Sequence, residues 1–178
     1  IMSTGAIGDT VLVGSTSQSG TANKLSVSSS NMFGLSIIDT TSYATNVGGA
    51  LNLGGNYRDS GDAQAFVRIE SLKENSTNVD YDFAMAFHTT ANGGTLGTNT
   101  ERMRIDSNGN VLIGKTATGT GNVGWQFEPT GTGVFSRSGD ICMILNRETN
   151  GGECVSIRQG GTAVGGIDAN ASSVDFNT

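Results

Sequence analysis

The sequence predicts an all-β fold of short antiparallel hairpins and meanders. Three observations carry the prediction. Glycine supplies 27 of 178 residues, proline one, and charged residues only 15%, against roughly 25% charged in an average domain. Glycine and short polar residues weaken helix interiors, and few runs of Ala, Leu, Glu or Lys compensate. Second, Val, Ile and Phe recur in short groups at period two, which separates the chain from disordered polar sequence. Third, residues 101–115 read as a β-hairpin. A two-residue Asn-Gly turn would pair Ile105 with Leu112. A three-residue loop, Ser107-Asn108-Gly109, pairs Ile105 with Val111 and Met103 with Ile113. The second register gathers four apolar side chains on one face, with Arg102 and Arg104 on the other, and uses Gly109 for the positive φ that closes such a loop. A slip of one residue would turn the whole apolar set over, so the second register is preferred.

Taken in order, residues 8–16 echo 109–116: both set an apolar triplet before Gly, a small or basic residue, and Thr. This predicts an internal repeat, each copy a hairpin end leading into a polar loop. Residues 24–28 and 33–38 follow as short strands. Residues 43–62 are glycine-rich, with Leu51 and Leu53 alternating between turns. A longer hairpin has arms at 65–72 and 80–88, in which Tyr81, Phe83, Met85 and Phe87 share a face. Residues 73–79 and 89–100 are polar connecting loops. After Thr116 the texture changes. Thr118-Gly119-Thr120-Gly121-Asn122 reads as a linker. Strands are then predicted at 123–128, 134–136, 141–145, 154–158 and 163–167, separated by turn residues. The expected organisation is 1–30 as the end of a preceding shaft repeat, 31–118 as a β-rich module and 119–178 as a meander.

The apolar side-chain mass is modest for one chain of this size, so burial between copies is expected. The net charge of −6 argues against nucleic acid or an anionic membrane as the main partner. No stretch approaches the ~18–20 apolar residues of a membrane span. Ile1 is not a translation start, so the chain reads as part of a longer one. Cys142 and Cys154 are too few for a disulfide framework or a metal cluster and read as small buried hydrophobes made in a reducing cytoplasm. No cofactor is expected.

Several patterns imitate chemistry. Residues 109–116 satisfy the phosphate-loop pattern G-x-x-x-x-G-K-T. A phosphate cradle needs a turning loop followed by a helix N-terminus, whereas Asn-Val-Leu-Ile is a strand by propensity and the following residues cannot be a helix. Residues 119–124 match a dinucleotide fingerprint, again without the strand–helix frame. His88, the one histidine, is read as solvated or at an interface, on the face opposite Phe87. Asp59 with Asp62, and Asp80 with Asp82, could imitate a glycosidase pair, but loop and strand-end roles are simpler. Trp125 alternates with Phe127 and suits burial between subunits. Tyr43 and Tyr57 sit in glycine-rich loops, where exposed rings could stack on sugars. With Asn75 in the loop at 73–79, they are the candidate recognition residues. No nucleophile elbow accompanies His88, so no catalytic residue is assigned and the protein is not expected to be an enzyme.

The segment "TERMRIDSNGNVLIGKT" (100–116), following "GNYRDSGDAQAFVRIESLKENSTNVDYDFAMAFHTTANGG" (55–94), resembles a module common in the tail fibres of tailed bacteriophages. "FSRSGDICMILNRETNGGECVSIRQGGTAVGGI" (135–167) is similar to the β-meander that precedes a self-cleaving C-terminal intramolecular chaperone of the endosialidase type. Cys142, Cys154 and Trp125 depart from the pattern. The resemblance implies a parallel homotrimer, intertwined towards its C-terminus. It implies a virion structural protein made in the host cytoplasm, partnered by other phage tail proteins and by a host surface glycan or outer-membrane protein. It also implies autoproteolytic maturation in which a serine opening the chaperone cuts after Thr178. Host attachment through presented loops is the first functional expectation. A purely structural spacer and a polysaccharide-degrading tailspike are the alternatives.

Overall fold

The computed structural model describes residues 37–56, 64–91, 99–170 and 172–177. The chain divides into two units, Ile1–Ile38 and Asp39–Thr178, and all the strands described lie in the second. The expected repeat copy at 8–16 and the strand at 24–28 lie outside the described residues, as does most of that at 33–38.

Among the described residues the protein is all β, with ten strands and no helix. Seven form one antiparallel sheet in which neighbours in sequence are neighbours in space: β1 (Ala50–Asn56), β2 (Gln64–Lys73), β3 (Phe83–Thr90), β4 (Asn99–Ile105), β5 (Val111–Ile113), β6 (Gly124–Phe127) and β7 (Gly133–Ser136). The other three, β8 (Gly152–Gln159), β9 (Thr162–Ala169) and β10 (Val174–Asn177), form a second antiparallel sheet in the order β10-β9-β8. A meander of this kind needs only short local connections.

The β4–β5 hairpin takes the three-residue register. Ile105 faces Val111 and Met103 faces Ile113. Gly109 has φ +82°, and its N–H donates to Asp106 O at 2.9 Å. Asp106 organises the turn further: its Oδ1 accepts from the N–H groups of Asn108 at 3.0 Å and Asn110 at 2.8 Å. An aspartate that bonds the backbone of its own turn is a local reason for the chain to reverse there.

The pairing registers place alternate residues on two faces. One face is apolar and open. Leu51, Leu53, Val67, Ile69, Phe83, Met85, Ile105, Ile113, Trp125 and Phe127 are each between 36% and 51% exposed. Trp125 and Phe127 both meet Phe135 edge to face, with centroids 5.1 and 5.8 Å apart. Three of the ten are aromatic, each with about 150–250 Å² of side-chain surface, and the ten together form one broad apolar face. The opposite face holds the buried positions. Leu72, Ala84, Ala86 and Leu112 are its closed apolar centre, and Gln126 and His88 are buried beside them. The segment 44–49, which bonds β2 through Asn46, Val47 and Gly49, and the loop 114–123 border this face.

Several expectations change. Leu51 and Leu53 belong to a regular edge strand, because the glycine-rich segment finds a full ladder on β2. Tyr81 precedes β3 and is 85% exposed. Residues 141–145 are not a strand: they make no ladder among the described residues and expose Ile141, Met143, Ile144 and Leu145. Propensity supplies a strand's side chains, but its hydrogen bonds need a neighbour. Cys142 is therefore exposed rather than buried, and neither cysteine is paired. The segment read as a linker at 118–122 connects two adjacent strands of one sheet, so the seven-stranded sheet runs across the expected boundary at 118/119. His88 does lie opposite Phe87, but it is buried at 8% exposure rather than solvated.

Candidate functional site

The buried face carries a small grid of charge. One row runs across three strands through Arg68, His88 and Glu101, and the next runs through Glu70, Ala86 and Arg104. A bulge makes this grid possible. The β3–β4 register shifts between Phe87 and His88, so Met103 faces Phe87 while Glu101, not Arg102, faces His88. In an unbroken strand residues three apart point to opposite faces. The extra residue re-aims Glu101 to the side of Arg104. Arg102 reaches Thr89 Oγ1 instead, at 2.9 Å. The expected pairing of Arg102 and Arg104 on one face gives way to an ion pair between Arg104 and Glu101.

That pair is bidentate: Arg104 Nε and Nη2 each donate to a Glu101 carboxylate oxygen at 2.6 Å. The hydrogen bond to Glu101 is the main reason the Arg104 guanidinium holds its proton above the usual arginine range, against the cost of burial. Arg104 Nη1 also stands 3.9 Å from Glu74 Oε1, and Glu74 Oε2 accepts from the N–H of Ser107 at 3.0 Å. On the other side Arg68 Nε lies 3.0 Å and His88 Nε2 lies 3.3 Å from the same oxygen, Glu70 Oε2. These contacts are close but misaligned. Among the described residues Arg68 Nε and both ring nitrogens of His88 have no hydrogen-bond partner. A buried group in that state costs about 1–3 kcal/mol.

These side chains line a cavity of about 500 Å³, with Thr45, Asn46, Leu72, Lys73 and Thr116 completing its wall. The Lys73 ammonium is turned to Asp80 O at 2.7 Å and Asn75 Oδ1 at 3.3 Å. Glu70 faces Arg68, while Glu74 and Glu101 share Arg104, so the wall sets three carboxylates beside two guanidinium groups and offers donors and acceptors side by side. Among the described residues no three His, Cys, Asp or Glu side chains converge as a metal site requires.

The candidates taken from sequence fall elsewhere. Tyr43 is 54% exposed, two residues before the cavity wall. Asn75 is engaged within its own loop: Oδ1 accepts from the N–H of Thr77 at 2.9 Å and Nδ2 donates to Asp80 Oδ2 at 3.0 Å. Asp80 and Asp82 lie in the same connection, where Asp80 Oδ1 accepts from the N–H of Asp82 at 3.1 Å. Tyr57 and Thr178 are outside the described residues. Lys115 is 8% exposed and donates to Gly119 O at 2.8 Å and Gln126 Oε1 at 3.2 Å. Gln126 also accepts from the N–H of Gly119 at 3.0 Å. The lysine of the phosphate-loop pattern is thus a pin that holds the 114–123 loop to the sheet, and three of the four residues before Gly114 are strand β5. The charge grid has a partial signal in sequence: Arg68 and Glu70 share a face at period two, and His88 stands opposite Phe87. The bulge that brings Glu101 to them leaves only a charge out of step with the alternation. Comparison with protein-family models, curated proteins and solved structures finds no match.

Proposed function

We propose that the chain is a structural segment of a bacteriophage tail fibre, assembled as a parallel homotrimer and taking part in host attachment. The observation that carries this reading is the open apolar face of the seven-stranded sheet. Ten half-exposed apolar side chains on one face are a core without its second layer. In a closed threefold assembly each copy turns that face to the axis and buries it against the other two. The sequence resemblance at 55–94, 100–116 and 135–167 supports three copies and the fibre setting. The test is the mass of the purified protein in native mass spectrometry and light scattering at micromolar concentration. A stable trimer is expected, and a monomer sinks the reading. Competition of phage adsorption by the purified trimer separates attachment from a spacer role.

A further inference from the structure

We propose that the polar cavity over β2, β3 and β4 is a binding site for a neutral hexose unit. Two independent observations meet there. The first is the bulge in β4, which gathers Glu101 and Arg104 on the side of Glu70 and His88; bulges commonly re-aim side chains beside functional sites. The second is His88 itself, 8% exposed, lining the cavity, with both ring nitrogens lacking a hydrogen-bond partner among the described residues. Arg68 Nε is in the same condition.

The chemistry of the wall selects the ligand. Glu101 and Arg104 are joined by two 2.6 Å hydrogen bonds, whereas Glu70 Oε2 has Arg68 Nε at 3.0 Å and His88 Nε2 at 3.3 Å without an aligned hydrogen bond to either. An incoming ion would have to compete with the Glu101–Arg104 pair. A hydroxyl group instead donates to a carboxylate and accepts from a guanidinium or an imidazole N–H at once. A ring bearing several hydroxyls therefore matches alternating donors and acceptors, and a volume of about 500 Å³ lies within the range of small-ligand sites. Among the described residues no aromatic side chain lines the cavity, so affinity rests on polar contacts and one unit binds weakly, with a Kd on the order of 1 mM. This inference rests on the proposed trimer, which turns the apolar face inward and leaves the polar face to solvent, and it names the ligand class behind the attachment reading.

The experiment is ligand-observed saturation-transfer NMR on the purified assembly. The probes are the methyl α-glycosides of glucose, galactose and mannose, with glucosamine and glucuronate as charged controls. At least one neutral glycoside should bind, and His88→Ala and Thr116→Trp should each weaken it about tenfold or more. Thr116 is exposed at the cavity wall, so its tryptophan variant obstructs the opening without touching the ion pairs and decides the matter if His88→Ala fails to fold. Absence of transfer to every neutral glycoside overturns the proposal. So does equal affinity in the folded variants, or a preference for a charged control. Adsorption to host cells is scored separately: a protein that binds the glycoside without adsorbing keeps the site and loses the attachment reading.

Discussion

The two faces of the seven-stranded sheet reverse the usual arrangement. The open face presents Ile69, Met85, Ile105, Ile113 and Trp125, while the closed face holds Glu70, His88, Arg104 and Gln126 around Leu112 and Ala86. A lone soluble sheet is expected to bury its apolar side and wet its polar one. The reversal teaches that this chain carries two kinds of instruction. The polar face is finished within the chain, by ion pairs and by loops drawn over it. The apolar face is left half open within the chain, and the proposed trimer would cover it with other copies.

The largest effect expected from breaking this asymmetry comes from Ile105→Lys. Ile105 lies mid-sheet, paired with Met85 on one side and Val111 on the other, and is 36% exposed. In a single copy the lysine reaches water and the sheet survives. In a threefold core it places three ammonium groups in an apolar layer, each costing several kcal/mol. Light scattering should report complete loss of the trimer with the far-ultraviolet circular dichroism still that of β structure. A trimer that tolerates the lysine would show that the apolar face is not the interface.

Much of the apolar face was legible before the structure, because period two is a strong signal and a hairpin register carries a whole face with it. The pairing of Ile105 with Val111 and the positive φ of Gly109 both follow from that argument. The polar face was less legible. Its central pair depends on an inserted residue in β4, and a bulge leaves no trace in alternation beyond one misplaced charge. Residues 141–145 show the opposite failure: apolar alternation without a partner to complete the ladder. The burial of Lys115 was hidden because the elements that carry its acceptors, Gly119 O and Gln126 Oε1, are legible as a linker and a strand, but the pairing of that strand with β5 and the folding of the linker onto the sheet are not.

The next effect in size belongs to the closed face. Leu112 is 1% exposed and is the largest side chain buried there completely. It lies between Arg104 and Gln126 in the cross-strand row. Leu112→Ala removes its contacts and leaves a cavity, which costs about 2–5 kcal/mol. Urea unfolding of the variant, compared with the parent at equal concentration, should show a lower midpoint with an unchanged slope, the product of shift and slope giving that loss. A shift smaller than that of a truncation on the open face would reverse the comparison between the faces.

The smallest effect sharpens the comparison most, because it depends on whether the layer opposite is present. Leu53 stands on the edge strand β1, 51% exposed, paired with Val67 and several strands from Ile105. Leu53→Gln keeps the volume and exchanges a branched alkyl end for an amide. Made in the Ile105→Lys background, where the chain is held as a monomer, the amide meets water and stability should change by no more than about 0.5 kcal/mol. Made in the parent, the same amide enters an apolar interface and loses its water hydrogen bonds, which costs about 1–3 kcal/mol per copy. The two sites are too far apart to couple directly, so the difference between the backgrounds measures the layer itself. Thermal unfolding at two protein concentrations supplies both numbers. Equal effects in the two backgrounds would mean that Leu53 never meets a neighbouring copy, and the interface would then be confined to the strands from β2 to β7.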